Sequence, residues 1–126
     1  MKILMIEDDS ILSNLLGEAL KKDGYEVVSA MDGASGRRLV EKENPDLVLV
    51  DYILPGISGP DLVGQLKNDP RLSSIPIIVL SNVGNKEEIK RVEGLGVKKY
   101  LVKYNVTLRE ILGEIKKTSV SVGGSP

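Results

Sequence analysis

The chain of 126 residues contains neither cysteine nor histidine. Without cysteine there are no disulfides, no thiolate metal sites and no thiol nucleophile, a composition compatible with a reducing cytoplasm. Without histidine the commonest general base and the commonest transition-metal ligand are missing. Any chemistry must run on carboxylates, lysines, hydroxyls and a hard metal ion. A basic excess is lacking too: 17 Lys and Arg stand against 18 Asp and Glu, a net charge of −1. That balance gives no electrostatic footprint for nucleic acid and no polybasic signal for a membrane surface. No apolar run approaches the roughly 18 residues of a membrane span, and Met1-Lys2 leads straight into a strand pattern, not a signal peptide. A cytoplasmic location away from membranes is therefore expected. A chain of this length is about one domain, able to bury roughly two-thirds of its unfolded surface.

What the sequence does have is Leu47-Val48-Leu49-Val50-Asp51 followed by Tyr52-Ile53-Leu54-Pro55-Gly56-Ile57-Ser58-Gly59. A short, uniformly apolar run reads as a strand covered on both faces, as in a parallel sheet. Pro55-Gly56 and Ser58-Gly59-Pro60 then force a loop. Asp51 is thus expected at the carboxyl end of a buried strand, the edge of an open α/β sheet where ligands gather.

The rest of the chain repeats this alternation. Lys2 to Ile6 is a strand ending in Glu7-Asp8-Asp9. Ser10 to Lys22 carries Ile11, Leu12, Leu15, Leu16, Ala19 and Leu20 at helical spacing, with Asp23-Gly24 as its stop. Tyr25 to Ala30 is a strand with two polar positions, and Gly33 to Glu43 a weaker helix ended by Asn44-Pro45. Pro60 to Lys67 is a helix with Leu62, Val63 and Leu66 inward. Pro76 to Leu80 is an apolar strand ending at Ser81. Lys86 to Glu93 is a short, polar helix, its Lys86-Glu87-Glu88 run reading as a solvated face. Val97 to Val102 is the fifth strand, closed by Lys103. Thr107 and Glu110 make a capping box before a helix whose apolar face holds Leu108, Ile111, Leu112 and Ile115. Residues 1–118 form the expected domain, and 119–126 a flexible tail or the stub of a linker.

Five strands alternating with five helices predict a single-domain α/β fold with a parallel sheet. The strands ending at Ile6, Val50 and Leu80 are apolar throughout and belong in the centre. Those containing Glu26 and Ser29, or Lys98 and Lys99, suit the edges. Right-handed crossovers then favour the flavodoxin-like (βα)5 order 2-1-3-4-5, with helices on both faces and a crevice between the first and third strands. That crevice receives Glu7, Asp8 and Asp51. At about 4 Å and an effective dielectric near 20, each carboxylate pair costs about 4 kcal/mol. A hard cation such as Mg²⁺ or the point charge of Lys103 offsets the repulsion, and Ser81 adds a hydroxyl to the same rim. A carboxylate nucleophile, a metal, a lysine and a hydroxyl together describe a site for a phosphoryl group.

These residues, in this order, resemble the receiver domain of bacterial two-component response regulators over about residues 2–117. Met5-Ile6-Glu7-Asp8-Asp9 resembles the acidic-pair motif, Asp51 to Gly59 the phosphoacceptor loop, Ser81 the switch hydroxyl, Tyr100 the switch aromatic and Lys103 the family's lysine. The resemblance implies that Asp51 accepts a phosphoryl group from a histidine kinase or histidine phosphotransfer protein. It also implies that Asp8 ligates Mg²⁺ directly, Glu7 through water, and the Ile53 carbonyl and Asp51 complete the protein ligands. Ser81 and Lys103 would hold phosphoryl oxygens, and Tyr100 would turn inward as the face built from the fourth helix, fifth strand and last helix changes. A downstream protein target or a missing output domain would read that change. The domain would act on itself, catalysing its own phosphorylation and slow dephosphorylation, and not as an enzyme on other substrates.

Two positions depart from the family pattern. The family usually follows its lysine with a cis-proline, where this chain has Tyr104; a cis bond without proline costs about 3–4 kcal/mol, so a differently arranged loop is expected. Asn82 follows Ser81 where the family prefers a small residue, which narrows access to the phosphoryl group. Two places after Asp51 and Ser81, where family members position or exclude the hydrolytic water, stand Ile53 and Val83. Neither side chain can hydrogen-bond a water, and slow hydrolysis is expected. Other classes fit less well. A haloacid-dehalogenase-type phosphatase needs a second aspartate where Ile53 stands. A nucleotide or flavin binder would find its phosphate repelled by Glu7-Asp8-Asp9. A receiver-like interaction module that is never phosphorylated remains the alternative, though it would not need the full acid, hydroxyl and lysine set.

Overall fold

The protein is described here from a computed structural model that covers the backbone of residues 1–123 and the side chains of 1–118. Its middle is built from three strands with apolar interiors: β1 (Lys2–Ile6), β3 (Leu47–Asp51) and β4 (Ile77–Ser81). The more polar β2 (Glu26–Ala30) and β5 (Lys99–Val102) take the edges, with Glu26, Ser29 and Lys99 exposed. All neighbours pair in parallel, in the order β2-β1-β3-β4-β5. Both the order and the edge placement match the reading from polarity and crossover handedness.

Side chains alternate across the sheet, so each strand feeds two cores. Ile3, Met5, Leu49, Ile78 and Leu80 point to one face. There they meet Leu16 and Leu20 of α1 (Ser10–Lys22) and Ile111 and Ile115 of α5 (Leu108–Gly123). Leu4, Ile6, Val48, Val50 and Val79 point to the other. That face is covered by α2 (Gly33–Glu43), α3 (Gly59–Asn68) and α4 (Lys86–Glu93). α3 supplies Leu62, Val63 and Leu66, whereas α4 buries only Val92 completely. α4 is therefore the least anchored helix on that face, a property of its polar sequence.

Local signals set the ends of the elements. The Asp9 carboxylate accepts from the Ile11 and Leu12 amides and starts α1. Asn85 caps α4 through the Glu88 amide. Thr107 and Glu110 close their capping box in both directions, at 3.1 and 3.0 Å.

Several expectations are corrected. Ile11 and Leu15, expected on the buried stripe of α1, are 78% and 55% exposed. The sheet reaches only the Leu16–Leu20 side of that wide stripe. Tyr25 is not in β2, because its amide donates to the Leu20 carbonyl in the turn that ends α1. β5 starts at Lys99 and not at Val97, because the turn at Gly96, with φ of 102°, still occupies the chain just before it. The expected tail is partly helix: α5 runs through Gly123. Extending an existing helix needs no new nucleation, and the Thr118 hydroxyl is satisfied on the Glu114 carbonyl within it. The remainder of that expectation, residues 124–126, lies outside the described residues.

Candidate functional site

The parallel register brings the strand ends to one edge. Ile6 lies opposite Val50, Asp51 opposite Leu80, and Ser81 opposite Val102. The residues that follow, or end, these strands are Glu7, Asp51, Ser81 and Lys103. The Glu7 amide donates to the Ala30 carbonyl, extending the ladder and holding this side chain inward. Gly59 lets the start of α3 press on the same edge: a β-carbon there would collide with the Asp51 carbonyl oxygen and lie 2.8 Å from the Tyr52 Cα. The loop after Asp51 is thus clamped by backbone contact.

At the centre the Lys103 ammonium bridges two carboxylates. Its Nζ lies 3.1 and 3.3 Å from the two Glu7 oxygens and 3.2 Å from Asp51 Oδ2. Glu7 and Asp51 are each only 6% exposed. Asp8, turned outward by the start of α1, is exposed, yet its carboxylate lies within 4.8 Å of ligand atoms of both Glu7 and Asp51. The acidic cluster expected from the sequence is therefore assembled. Burial, followed by repulsion from Asp51, pushes the Glu7 carboxyl up to about 7 despite the neighbouring lysine. Burial lowers the pKa of Lys103, but attraction to Asp51 and Glu7 outweighs it, and the net shift is upward. One cation thus leaves the pocket's negative charge incompletely compensated.

Three oxygen-donor carboxylates, one of them open to solvent, suit a hard divalent cation that keeps several waters. The Ile53 side chain is 63% exposed. Its amide lies 3.4 Å from Asp51 Oδ1, folding the loop back over the acceptor.

Ser81 is completely buried, and its Oγ accepts from the Val83 amide at 2.8 Å. Tyr100 already faces inward at 7% exposure, its hydroxyl donating to the Val83 carbonyl at 2.6 Å. Val83 is thus held by one group at each end of its peptide frame. The Lys103–Tyr104 peptide bond is trans and opens a 3-10 turn, Lys103–Asn105. That turn is the altered loop expected from the missing proline, and it leaves the Lys103 ammonium in the pocket. Asn82 is exposed.

One contact was not legible in the sequence. The Tyr52 hydroxyl donates to Glu88 of α4, and Arg91 grips the same carboxylate through Nε at 3.0 Å and through Nη2. Glu88 belongs to the run expected to be a solvated face. Its spacing to Arg91 is a readable i,i+3 pair, but no local pattern signals a partner 36 residues away.

Residues 3–116 match the response regulator receiver domain family, and the chain belongs to it: it is a receiver domain of the two-component response regulators. Among relatives, it is 38% identical over 104 residues to the phosphate regulon transcriptional regulatory protein PhoB of Rhizobium meliloti (strain 1021), a match covering 81% of this chain and 45% of that protein. The chain thus spans less than half the length of that relative. Its fold is similar to the BeF3-activated N-terminal receiver domain of Klebsiella pneumoniae RstA, with a TM-score of 0.86 and 26% identity over 94% of this chain and 97% of that one. It is also similar to the Mn(2+)-bound form of response regulator Rcp1, with a TM-score of 0.81 and 27% identity over 99% of this chain and 96% of that one. Among the described residues no helix is long and apolar enough to cross a membrane.

Proposed function

We propose that Asp51 accepts a phosphoryl group from the phosphohistidine of a histidine kinase or phosphotransfer protein, in a Mg²⁺-dependent reaction. A carboxylate oxygen of Asp51 would attack phosphorus in line while the imidazole nitrogen leaves with its bonding pair, conserving charge and atoms. Asp8, Asp51 and the Ile53 carbonyl would hold the ion, with Glu7 reaching it through water. When bound, the ion neutralises the charge of the transferring oxygens and of the carboxylates that would otherwise repel them. Lys103 would pass from Asp51 to a phosphoryl oxygen, and the Ser81 hydroxyl would exchange the Val83 amide for another. With Val83 released, the packing of Tyr100 and the α4-β5-α5 face would change as a population shift between two packings. Residues 1–118 would be the working unit, acting on a separate protein or an output domain and promoting only its own phosphorylation and slow dephosphorylation.

The observation that carries this reading is the Lys103 ammonium shared between buried Asp51 and Glu7, with Asp8 completing the cluster. Incubation with acetyl phosphate and Mg²⁺ should add one phosphoryl mass. Asp51→Asn should abolish that gain, as should EDTA. Labelling that survives either treatment contradicts the assignment, and an unlabelled native protein favours the interaction module that works without phosphorylation.

A further inference from the structure

Three of the chain's four tyrosines converge on the segment that joins β4 to α4 and on the first turn of α4. Tyr100 holds the Val83 carbonyl, Tyr104 lies against Gly84, and Tyr52 reaches Glu88. A β-carbon on Gly84 would collide with the Tyr104 hydroxyl, which shows how closely the two loops touch. Of the three, Tyr52 has the most direct connection to the acceptor, because it is the next residue after Asp51. Its backbone is fixed in the sheet: the amide donates to the Leu80 carbonyl at 3.2 Å, and its own carbonyl accepts from Gly59 at 2.8 Å. Its ring packs on the core that also contains Val92 and Tyr100. At the far end Glu88 is equally constrained, by the Asn85 cap on its amide and by the Arg91 guanidinium on its carboxylate. A rigid residue at the acceptor is thus joined by one charge-assisted hydrogen bond to a rigid position on the helix with the fewest buried anchors.

We infer that Tyr52 and Glu88 form a latch coupling occupancy of the Asp51 site to the position of α4, separately from the contacts of Ser81 and Tyr100. The inference rests on the proposed function, since it concerns what that site controls. The latch is closed while Lys103 is paired with Asp51 and the Val83 amide with Ser81, the arrangement that precedes phosphoryl transfer in the proposed function. It therefore favours the packing of the unphosphorylated site. Linkage is reciprocal: a contact that steadies α4 in that packing opposes binding at Asp51, and its loss loosens α4 and strengthens binding.

The test is a double-mutant cycle on the whole chain with Tyr52→Phe, Glu88→Ala and both together. Tyr52→Phe removes one hydroxyl and keeps the ring. Hydrogen exchange of amides 86–93 should be about tenfold faster in Tyr52→Phe, in line with loss of a hydrogen bond to a charged group. Beryllofluoride with Mg²⁺, titrated against the same proteins, should bind about three- to tenfold more tightly. In the Glu88→Ala background the added Tyr52→Phe should change either quantity by less than about twofold. Exchange in α4 that is unchanged by Tyr52→Phe overturns the latch. Additive effects of the two substitutions overturn it as well, and so does unaltered beryllofluoride affinity alongside faster exchange. If the native chain binds no beryllofluoride, the phosphoryl reading fails instead, and the exchange cycle alone decides whether Tyr52 holds α4.

Discussion

The Lys103 ammonium meets both oxygens of Glu7, 96 residues earlier in the chain, at 3.1 and 3.3 Å. Even so, the Glu7 carboxyl is pushed up to about 7, because burial and Asp51 together outweigh the lysine. An acidic cluster that a single lysine leaves under-compensated is one prepared to gain a cation, and its pH behaviour follows.

Glu7 holds its proton more tightly in the folded state than at its ordinary value of 4.5. Its contribution to stability is therefore fully present below about 4.5 and is lost as pH rises through about 7. Glu7→Gln cannot ionise and escapes that loss. In EDTA the variant should gain on the native protein by about 1–2 kcal/mol between pH 5 and pH 8, allowing for solvent relaxation at about 1.4 kcal/mol per pH unit. Added Mg²⁺ favours the ionised carboxylate and should erase the gain at pH 8. Urea melts at the two pH values, with and without Mg²⁺, measure both; a pH-independent difference contradicts the assignment.

The contact of α3 with the end of β3 predicts opposite effects for two glycines of one helix. A β-carbon on Gly59 would meet backbone atoms of Asp51 and Tyr52, which cannot move without distorting the acceptor loop. Gly59→Ala should cost about 2–4 kcal/mol, at the upper end for a single substitution. Gly64 has nothing within 4 Å of its β-carbon position. Gly64→Ala should stabilise by about 0.5–1 kcal/mol through helix propensity and the unfolded chain. Thermal melts of the two variants check the pair, and equal effects would remove the argument from backbone contact.

The lifetime of the proposed phosphoryl group is set by water placement. Ile53 is 63% exposed beside Asp51, and Val83 has both its amide and its carbonyl engaged by Ser81 and Tyr100. Neither side chain can orient a water for in-line attack, and positioning of a nucleophile is a large catalytic term. Ile53→Asn with Val83→Glu should therefore speed loss of the phosphoryl group by about tenfold or more, about 1.4 kcal/mol in barrier. The measurement is decay of phosphoprotein mass after removal of the donor. Decay within seconds in the native protein, or an unchanged rate in the double variant, contradicts this account.

Legibility followed the range of the interactions. The three apolar strands, their order and the meeting of Glu7, Asp8, Asp51, Ser81 and Lys103 at one edge were readable. Strand burial shows in uninterrupted apolar runs, and crossover handedness leaves few ways to stack them. The cap at Thr107 was readable because its capping box is a local pattern. The sequence could not say which side of the wide α1 stripe meets the sheet, because Ile11 and Leu16 are equally apolar and only docking distinguishes them. Nor could it say how much of the carboxylate repulsion Lys103 offsets, since that balance depends on distances near 3 Å and on burial. The Tyr52–Glu88 contact lies furthest from sequence reasoning. A tyrosine after a strand and a glutamate on a polar helix carry no local signal of each other. What joined them was the tertiary packing of α4, which lies against β5 and brings Glu88 to the half-buried Tyr52 hydroxyl, a group that needs an acceptor.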